Sequence, residues 1–208
     1  MNQGETRVFT FGCSSVSGRL LWQADFAPNA QWLFEAQGGT LHFSDGRAII
    51  DCVGKRGATL WVRRSFPADV VVEYAGTCVP PSVGHNLNCF LAAGYADGRR
   101  IDAVSRTGAY AEYHAFGNYI VTLTNSHTRV RRDPGFFEMS ELMLGSQIDH
   151  RYLVQIAKTA GRIRVNIDGR LIHDVTDAQP HGGGWVALRT WETKVIYDHW
   201  AVYEPVGG

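Results

Sequence analysis

Arginine, asparagine, histidine and tryptophan recur at alternate positions in several short runs of this sequence, and their chemistry is the first clue to what it could do. Successive side chains of a β-strand point to opposite faces. Asn86 and Asn88 would therefore share a face with Phe90, while Leu87, Cys89 and Leu91 line the other. By the same rule Arg129 and Arg131 stand opposite Thr128 and Val130, and Trp185, Ala187, Arg189 and Trp191 stand opposite Val186, Leu188 and Thr190. A run at 110–114 would put Tyr110, Glu112 and His114 together, against Ala109, Ala111, Tyr113 and Ala115. If these polar faces belong to one sheet, they line a groove of amides, guanidinium groups, an imidazole and indoles. Sugars suit that mixture, because their hydroxyls need planar polar partners, their C–H faces stack on Trp, and uronate carboxylates pair with Arg.

One reaction such a set could run is β-elimination in a uronate-containing glycan. The carboxylate must be neutralised, for which Arg129, Arg131 and Asn88 are suited. A base, His114 or a Tyr, takes the C5 proton, and an acid, Tyr119 or Tyr113, protonates the leaving oxygen. Asn86, Glu112, Arg131, Arg189, Trp185 and Trp191 would bind the substrate. The same groove would equally serve a carbohydrate-binding protein without catalysis. A glycoside hydrolase is a third reading, but the Glu-x-Asp-x-Glu run that would put three acids on one strand face is absent. Glu138 and Glu141, three apart, are expected on opposite faces of a strand, leaving Glu112 with Glu138 as the remaining acid pair. Structural roles compete with each assignment. His114 could be a hydrogen-bonded sheet histidine, the arginines a solvated edge, and Asn86 or Asn88 a turn cap, while Trp61 and Trp200 read as core.

The elements that must position these residues are strands. No stretch of ten or more residues sustains a helical period, whereas alternation and β-branched runs are frequent. Residues 40–43 and 48–53 flank Ser44-Asp45-Gly46, and 162–167 and 171–175 flank Asp168-Gly169, both hairpin signals. Further strands are expected at 59–64, 70–76, 88–95, 110–114, 119–123, 152–158, 185–191 and 195–203. Residues 79–85 and 132–135, rich in Pro and Gly, read as loops. Such a series argues for an all-β jelly-roll sandwich of two antiparallel sheets, and residues 1–208 read as one domain.

From about Thr59 onward the chain resembles the YesU-like family. The matching residues are Thr59-Leu60-Trp61, Val72-Glu73-Tyr74, Asn88-Cys89-Phe90, Tyr113-His114, the run from Asn125 to Phe136, and Arg189-Thr190-Trp191. Residues 152–174 look like that family's long hairpin. The resemblance implies a concanavalin A-like fold and an association with pectin degradation, and it adds Asn125 to the substrate-binding candidates. Polysaccharide lyases that use the same jelly roll have sites of similar kind.

Composition narrows the rest. Of 208 residues 45% are hydrophobic, 12% aromatic and 19% charged, so a large core is available. Twenty basic and twenty acidic side chains cancel, and no global charge drives the chain onto nucleic acid or a membrane. The expected partner is an oligo- or polysaccharide, with a homodimer through a sheet conceivable. No phosphate loop, dinucleotide fingerprint or nucleophile elbow is present, and no cofactor is expected. The one candidate for a structural calcium is His173-Asp174 with Asp177, and no catalytic metal is expected. Cys13, Cys52, Cys78 and Cys89 lack metal spacing and read as free thiols, with one or two disulfides the alternative. The polar N-terminus suggests a cytoplasmic protein as written, or a secreted or periplasmic one if a leader has been removed.

Overall fold

The structure, a computed structural model, describes residues 5–82 and 84–207. Along the chain these form β1 (Thr6–Phe11), β2 (Ser14–Gln23), β3 (Trp32–Ala36), β4 (Thr40–Ser44), β5 (Arg47–Asp51), β6 (Gly57–Val62), β7 (Val70–Val79), β8 (Asn86–Gly94), β9 (Gly117–Thr124), β10 (Thr128–Asp133), β11 (Phe137–Leu142), β12 (Arg151–Thr159), β13 (Arg162–Ile167), β14 (Arg170–Thr176), β15 (Trp185–Trp191) and β16 (Lys194–Pro205). They make two antiparallel sheets. One runs β11-β10-β9-β8-β15-β6-β3, and the other runs β1-β2-β16-β7-β12-β13-β14 with β4 and β5 attached through β16.

Alternation explains the layering. Leu87, Cys89, Val121, Leu123, Val130 and Leu188 of the seven-stranded sheet face Val72, Tyr74, Val154, Ile156, Val165, Trp200 and Val202 of the other, and together they form the main core. At about 25 cal/mol per Å² of apolar surface removed from water, this layer is the principal stabilising contribution. The hairpins predicted from Asp-Gly pairs are present: Asp45 and Gly46 have φ of 52° and 69°, Asp168 and Gly169 have 50° and 77°. Both residues of each turn are left-handed, the geometry that follows the twist of the flanking strands.

Four strands lie outside the set expected from sequence, β1, β2, β3 and β11, and β10 extends through Arg132 and Asp133, which read as loop. The β1–β2 hairpin carries Phe9 and Phe11 onto the outer side of its own sheet, where they pack on Val71, Ala157, Ala201 and Tyr203. The strand expected at 110–114 is instead a short 3-10 helix, Tyr110–Ala115. Its sequence, Tyr-Ala-Glu-Tyr-His-Ala, has no β-branched residue to favour extension. The Glu112 carboxylate accepts from the backbone N–H groups of Thr107 and Ala109, which holds the first turn. Asn118 donates to the carbonyls of Tyr113 and Phe116 and so holds the last.

All four cysteines are free: Cys13 is exposed, and Cys52, Cys78 and Cys89 are buried in the core layer. Burial pushes the Cys52 and Cys78 thiols up to about 11. Trp61 and Trp200 are buried, as expected. No described helix is long and apolar enough to cross a membrane.

One buried histidine closes the sandwich at an edge. His173 on β14 lies 3.1 Å through Nε2 from Oγ1 of Thr128 and 2.9 Å through Nδ1 from Oγ of Ser140, so it joins the two sheets. Burial pushes its pKa down to about 4 from 6.5, and the folded protein holds it neutral. The unfolded chain takes up that proton below pH 6.5 and the folded one does not. Stability contributed by neutral His173 is therefore complete above pH 6.5 and lost as pH falls toward 4, by about 3 kcal/mol. Urea midpoints measured between pH 7 and 4 should fall more steeply for the wild type than for His173→Gln, whose side chain does not titrate.

Candidate functional site

Strand register sets up the site. Glu141 on β11 pairs with Arg129 on β10, which pairs with Thr122 on β9, then Asn88 on β8, Arg189 on β15, Thr59 on β6 and Glu35 on β3. One row of polar side chains thus crosses all seven strands on the face turned away from the core. The row two residues along is mostly apolar, passing through Ile120, Phe90, Ala187 and Trp61. Residues 95–116 cross over that second row, and Ile101, Tyr113 and Phe116 pack on it to form a second small core. The cover also buries the Thr59 and Glu35 end of the polar row, and the row is accessible toward the other edge, at Thr122, Arg129 and Glu141.

A buried carboxylate fastens the cover. Glu35 accepts from Nε1 of Trp61 at 3.0 Å, from Oη of Tyr113 at 2.9 Å, and from Nε and Nη2 of Arg106 at 3.2 and 2.6 Å. Both members of the ion pair are nearly inaccessible, with side-chain exposures of 3% for Arg106 and 5% for Glu35.

Between cover and sheet edge lies a hollow of about 270 Å³, and beside it another of about 360 Å³. Both are bordered by Tyr110, Arg189 and Trp191, so they form one groove. Asn86, Asn88, Arg129 and Arg131 line the first lobe and His114 lines the second. Trp191 is 45% exposed at their junction.

Arg189 is 1% exposed and has no carboxylate partner among the described residues. Its Nη1 donates to Oγ1 of Thr59 at 2.8 Å and to the carbonyl of Gly108 at 3.0 Å, and its guanidinium lies 5.1 and 5.0 Å from the ring centres of Tyr110 and Tyr113. Burial pulls its pKa down, which the neighbouring Tyr113, Tyr110, Cys52 and Glu35 offset in part. A Cβ at position 57 would stand 2.1 Å from Nη2 of Arg189, so any larger residue there displaces the guanidinium.

His114 is oriented by Asp133. Nδ1 lies 3.1 Å from Oδ2 of Asp133, which is fully buried at the end of β10. Burial opposes ionisation of Asp133, but the His114 hydrogen bond and the charges of His114 and Arg131 outweigh it and hold the carboxyl below the ordinary range. An ionised carboxylate only accepts, so Nδ1 of His114 donates, and Nε2 of the neutral ring is left as a base. The ring also meets Tyr110 and Phe136 edge-on at 4.8 and 4.9 Å. Arg131 donates through Nη2 to Oη of Tyr110 and stacks 3.8 Å from the Phe136 ring centre.

The structure brings together Asn86, Asn88, Arg129, Arg131, Arg189 and Trp191, with His114 in the adjoining lobe. Others stand elsewhere. Tyr113 is buried under the cover, held by Glu35, and burial raises its pKa. Tyr119 faces the core side of β9, where its hydroxyl donates to Asp177 at 2.7 Å, and burial and Asp177 push its pKa up to about 12. Trp185 is buried beside Arg100 and borders a different hollow. Asn125 is exposed in the β9–β10 turn, outside the groove lining. Glu112 holds the helical turn and does not line either lobe.

Glu138 and Glu141 correct another expectation. A bulge between Val130 and Arg131 shifts the β10–β11 register, and both acids reach Arg129: Glu138 at 3.4 Å from Nε and Glu141 at 2.6 Å from Nη2. The proposed calcium ligands do not converge. His173 is buried between the sheets, Asp174 pairs with Arg162, and Asp177 pairs with Arg132. Among the described residues no group of three His, Cys, Asp or Glu forms a metal site.

Several groove residues went unassigned in the sequence reading. Thr122 and Thr124 follow from the alternation of β9 against Val121 and Leu123, a signal that was available. His127 and Phe136 sit in turns, where no period marks them. Tyr110, expected beside His114, was given no role there.

A family model described as a domain of unknown function, DUF6250, matches residues 53–199. No curated protein matches the sequence. Among solved structures, a protein of unknown function with a galectin-like fold from Bacillus subtilis is similar at 20% identity and a TM-score of 0.78, with 91% of this chain and 97% of that one covered. The endo-β-1,3-glucanase of Pyrococcus furiosus is similar at 14% identity and a TM-score of 0.65, covering 97% and 99%. The carbohydrate-binding module CBM66 of Bacillus subtilis follows at 11% and 0.63, covering 84% and 96%. At these identities the likeness shows the fold, a galectin-like or concanavalin A-like jelly roll.

Replacing Glu35 with Ala should strand the buried Arg106 charge and cost about 3–5 kcal/mol. The difference in urea midpoint from the wild type measures it, and a loss below 1 kcal/mol, the scale of a surface pair, would show that the cover is held by its apolar contacts alone.

Proposed function

The chain belongs to the DUF6250 family, and for this member we propose that the groove binds a uronate-containing glycan and cleaves it by β-elimination. The observation that carries this reading is the convergence, in one groove, of a buried unpaired guanidinium with a carboxylate-oriented histidine and a tyrosine. Arg189 supplies positive charge beneath the junction of the lobes, where it favours the carboxylate of a uronate and the extra negative charge that builds on it as C5 loses its proton.

The second lobe holds the reacting groups. Nε2 of His114 takes the C5 proton. The C5–H electron pair becomes the C4–C5 double bond as the bond from C4 to the glycosidic oxygen breaks. Tyr110 protonates the departing oxygen: because its own oxygen accepts from Arg131, its hydrogen is directed elsewhere. The products are an unsaturated uronate and a chain with a free hydroxyl. Tyr110 thus replaces Tyr113 and Tyr119 as the acid.

The printed names of two structural neighbours, a carbohydrate-binding module and a glucanase, support a carbohydrate ligand for this fold. Resemblance to YesU-like proteins supports a pectic source for the glycan. Exposed Trp191 favours a second reading, binding without cleavage, since an open indole beside amides is a stacking platform in its own right.

Incubation with polygalacturonate, alginate, glucuronan and ulvan, followed in the ultraviolet for unsaturated uronate, tests the reaction. Signal is expected with at least one, and His114→Ala should reduce the rate by about 10²–10⁴-fold with affinity largely kept. Binding without any signal would leave the second reading standing, and Trp191→Ala should then weaken affinity roughly tenfold, ~1.4 kcal/mol.

A further inference from the structure

A left-handed backbone is costly for a bulky L residue, and two aromatic residues among those described adopt it: Phe26 at φ 46° and Phe136 at φ 57°. Phe26 is 4% exposed and packs into the main core, where burial offsets the strain. Phe136 is 51% exposed and lacks that compensation. Of the eight large apolar side chains exposed among the described residues, only Phe136 and Trp191 border the groove.

The strained turn is held by the same acid that orients the histidine. Oδ1 of Asp133 accepts from the backbone N–H of Phe136 at 3.0 Å, while its Oδ2 meets Nδ1 of His114. One buried carboxylate thus fixes both the ring and the imidazole beside it. Arg131 lies 3.8 Å from the centre of the Phe136 ring, and His114 stands edge-on at 4.9 Å. Half of the side chain is still open, at the wall of the first lobe. Backbone strain of this kind persists where a side chain must be aimed at a ligand, and a flat apolar ring suits the C–H face of a pyranose.

We propose that Phe136 is a second stacking platform, on which the first lobe holds the sugar unit next to the one that faces His114. This role rests on the uronate reading above and deepens it, since it names the residue that grips the neighbouring unit. The competing role is structural: the ring would only cover the guanidinium of Arg131. Bulk and flatness separate the two, because an aliphatic side chain can cover an arginine but cannot offer a plane to a sugar.

Calorimetry with tetrasaccharides of polygalacturonate, alginate, glucuronan and ulvan, in a His114→Gln background that lacks the proposed base, tests it. For whichever of them binds, Phe136→Gly should weaken affinity roughly tenfold. Its thermal midpoint should move by less than about 3 °C, because glycine relieves the strain as the contact with Arg131 is lost. Phe136→Leu, which keeps the bulk without the plane, should bind as weakly as Phe136→Gly. An affinity that falls less than about threefold in Phe136→Gly, or that Phe136→Leu restores, overturns the platform and leaves the uronate reading intact. So does a loss accompanied by a larger fall in midpoint, which would make Phe136 a structural contact. If none of the four tetrasaccharides binds the parent, the platform and the uronate reading fall together.

Discussion

The carboxylate of Glu35 is the point on which the arrangement of the groove turns. Four donors from three side chains converge on it, one from the sheet and the others from the segment that crosses the sheet. Removing charges from water is costly, and the pair with Arg106 is tolerable in this interior because Trp61 and Tyr113 add hydrogen bonds to the same carboxylate. The effect is positional. With residues 95–116 held over the apolar row, the helical turn at Tyr110–Ala115 brings Tyr110 and His114 beside a polar row that belongs to different strands. Without that fastening, the sheet would present its amides and arginines without Tyr110 or His114 beside them.

Two adjacent rows of one sheet face thus have opposite fates. The apolar row is buried by its own chain, and the polar row is buried at Thr59 and Glu35 but reaches the groove at Thr122 and Arg129. Cross-strand pairing makes this division sharp, because a shift of one residue in any strand would exchange its contribution between core and groove. The bulge at Val130/Arg131 is the one place in the β10–β11 pairing where the period is deliberately broken, and it is there that two acids converge on Arg129.

Alternation was legible without coordinates, and so the two-sheet architecture, the Asp-Gly hairpins and the facing of Asn86, Asn88, Arg129, Arg131 and Arg189 follow from sequence. What escaped is whatever does not obey a period of two. The segment 110–114 alternates on paper, yet capping by Glu112 and Asn118 turns it into a helix, which keeps Tyr110 and His114 at the groove but takes Glu112 out of it. Tyr119 was assigned by residue type rather than by side, and its neighbours Val121 and Leu123 already placed it with the core. Asp133, within the run from Asn125 to Phe136, was given no role in the sequence reading because that role exists only once β10 ends beside the helical turn. Strands β1, β2 and β11 carry polar or exposed residues on both sides of much of their length, which blurs the pattern, and β3 is only five residues long.

The cysteines bear on where such a protein can operate. Three thiols are enclosed in the layer between the sheets, with Cys52 and Cys78 kept protonated at neutral pH, and cohesion comes from apolar packing rather than covalent links. An oxidant meets only Cys13, on the β1–β2 turn, and a reductant has no bridge to open. The cohesion of the scaffold therefore does not hang on the thiol–disulfide balance around it, and Cys13 is the one thiol that balance can reach.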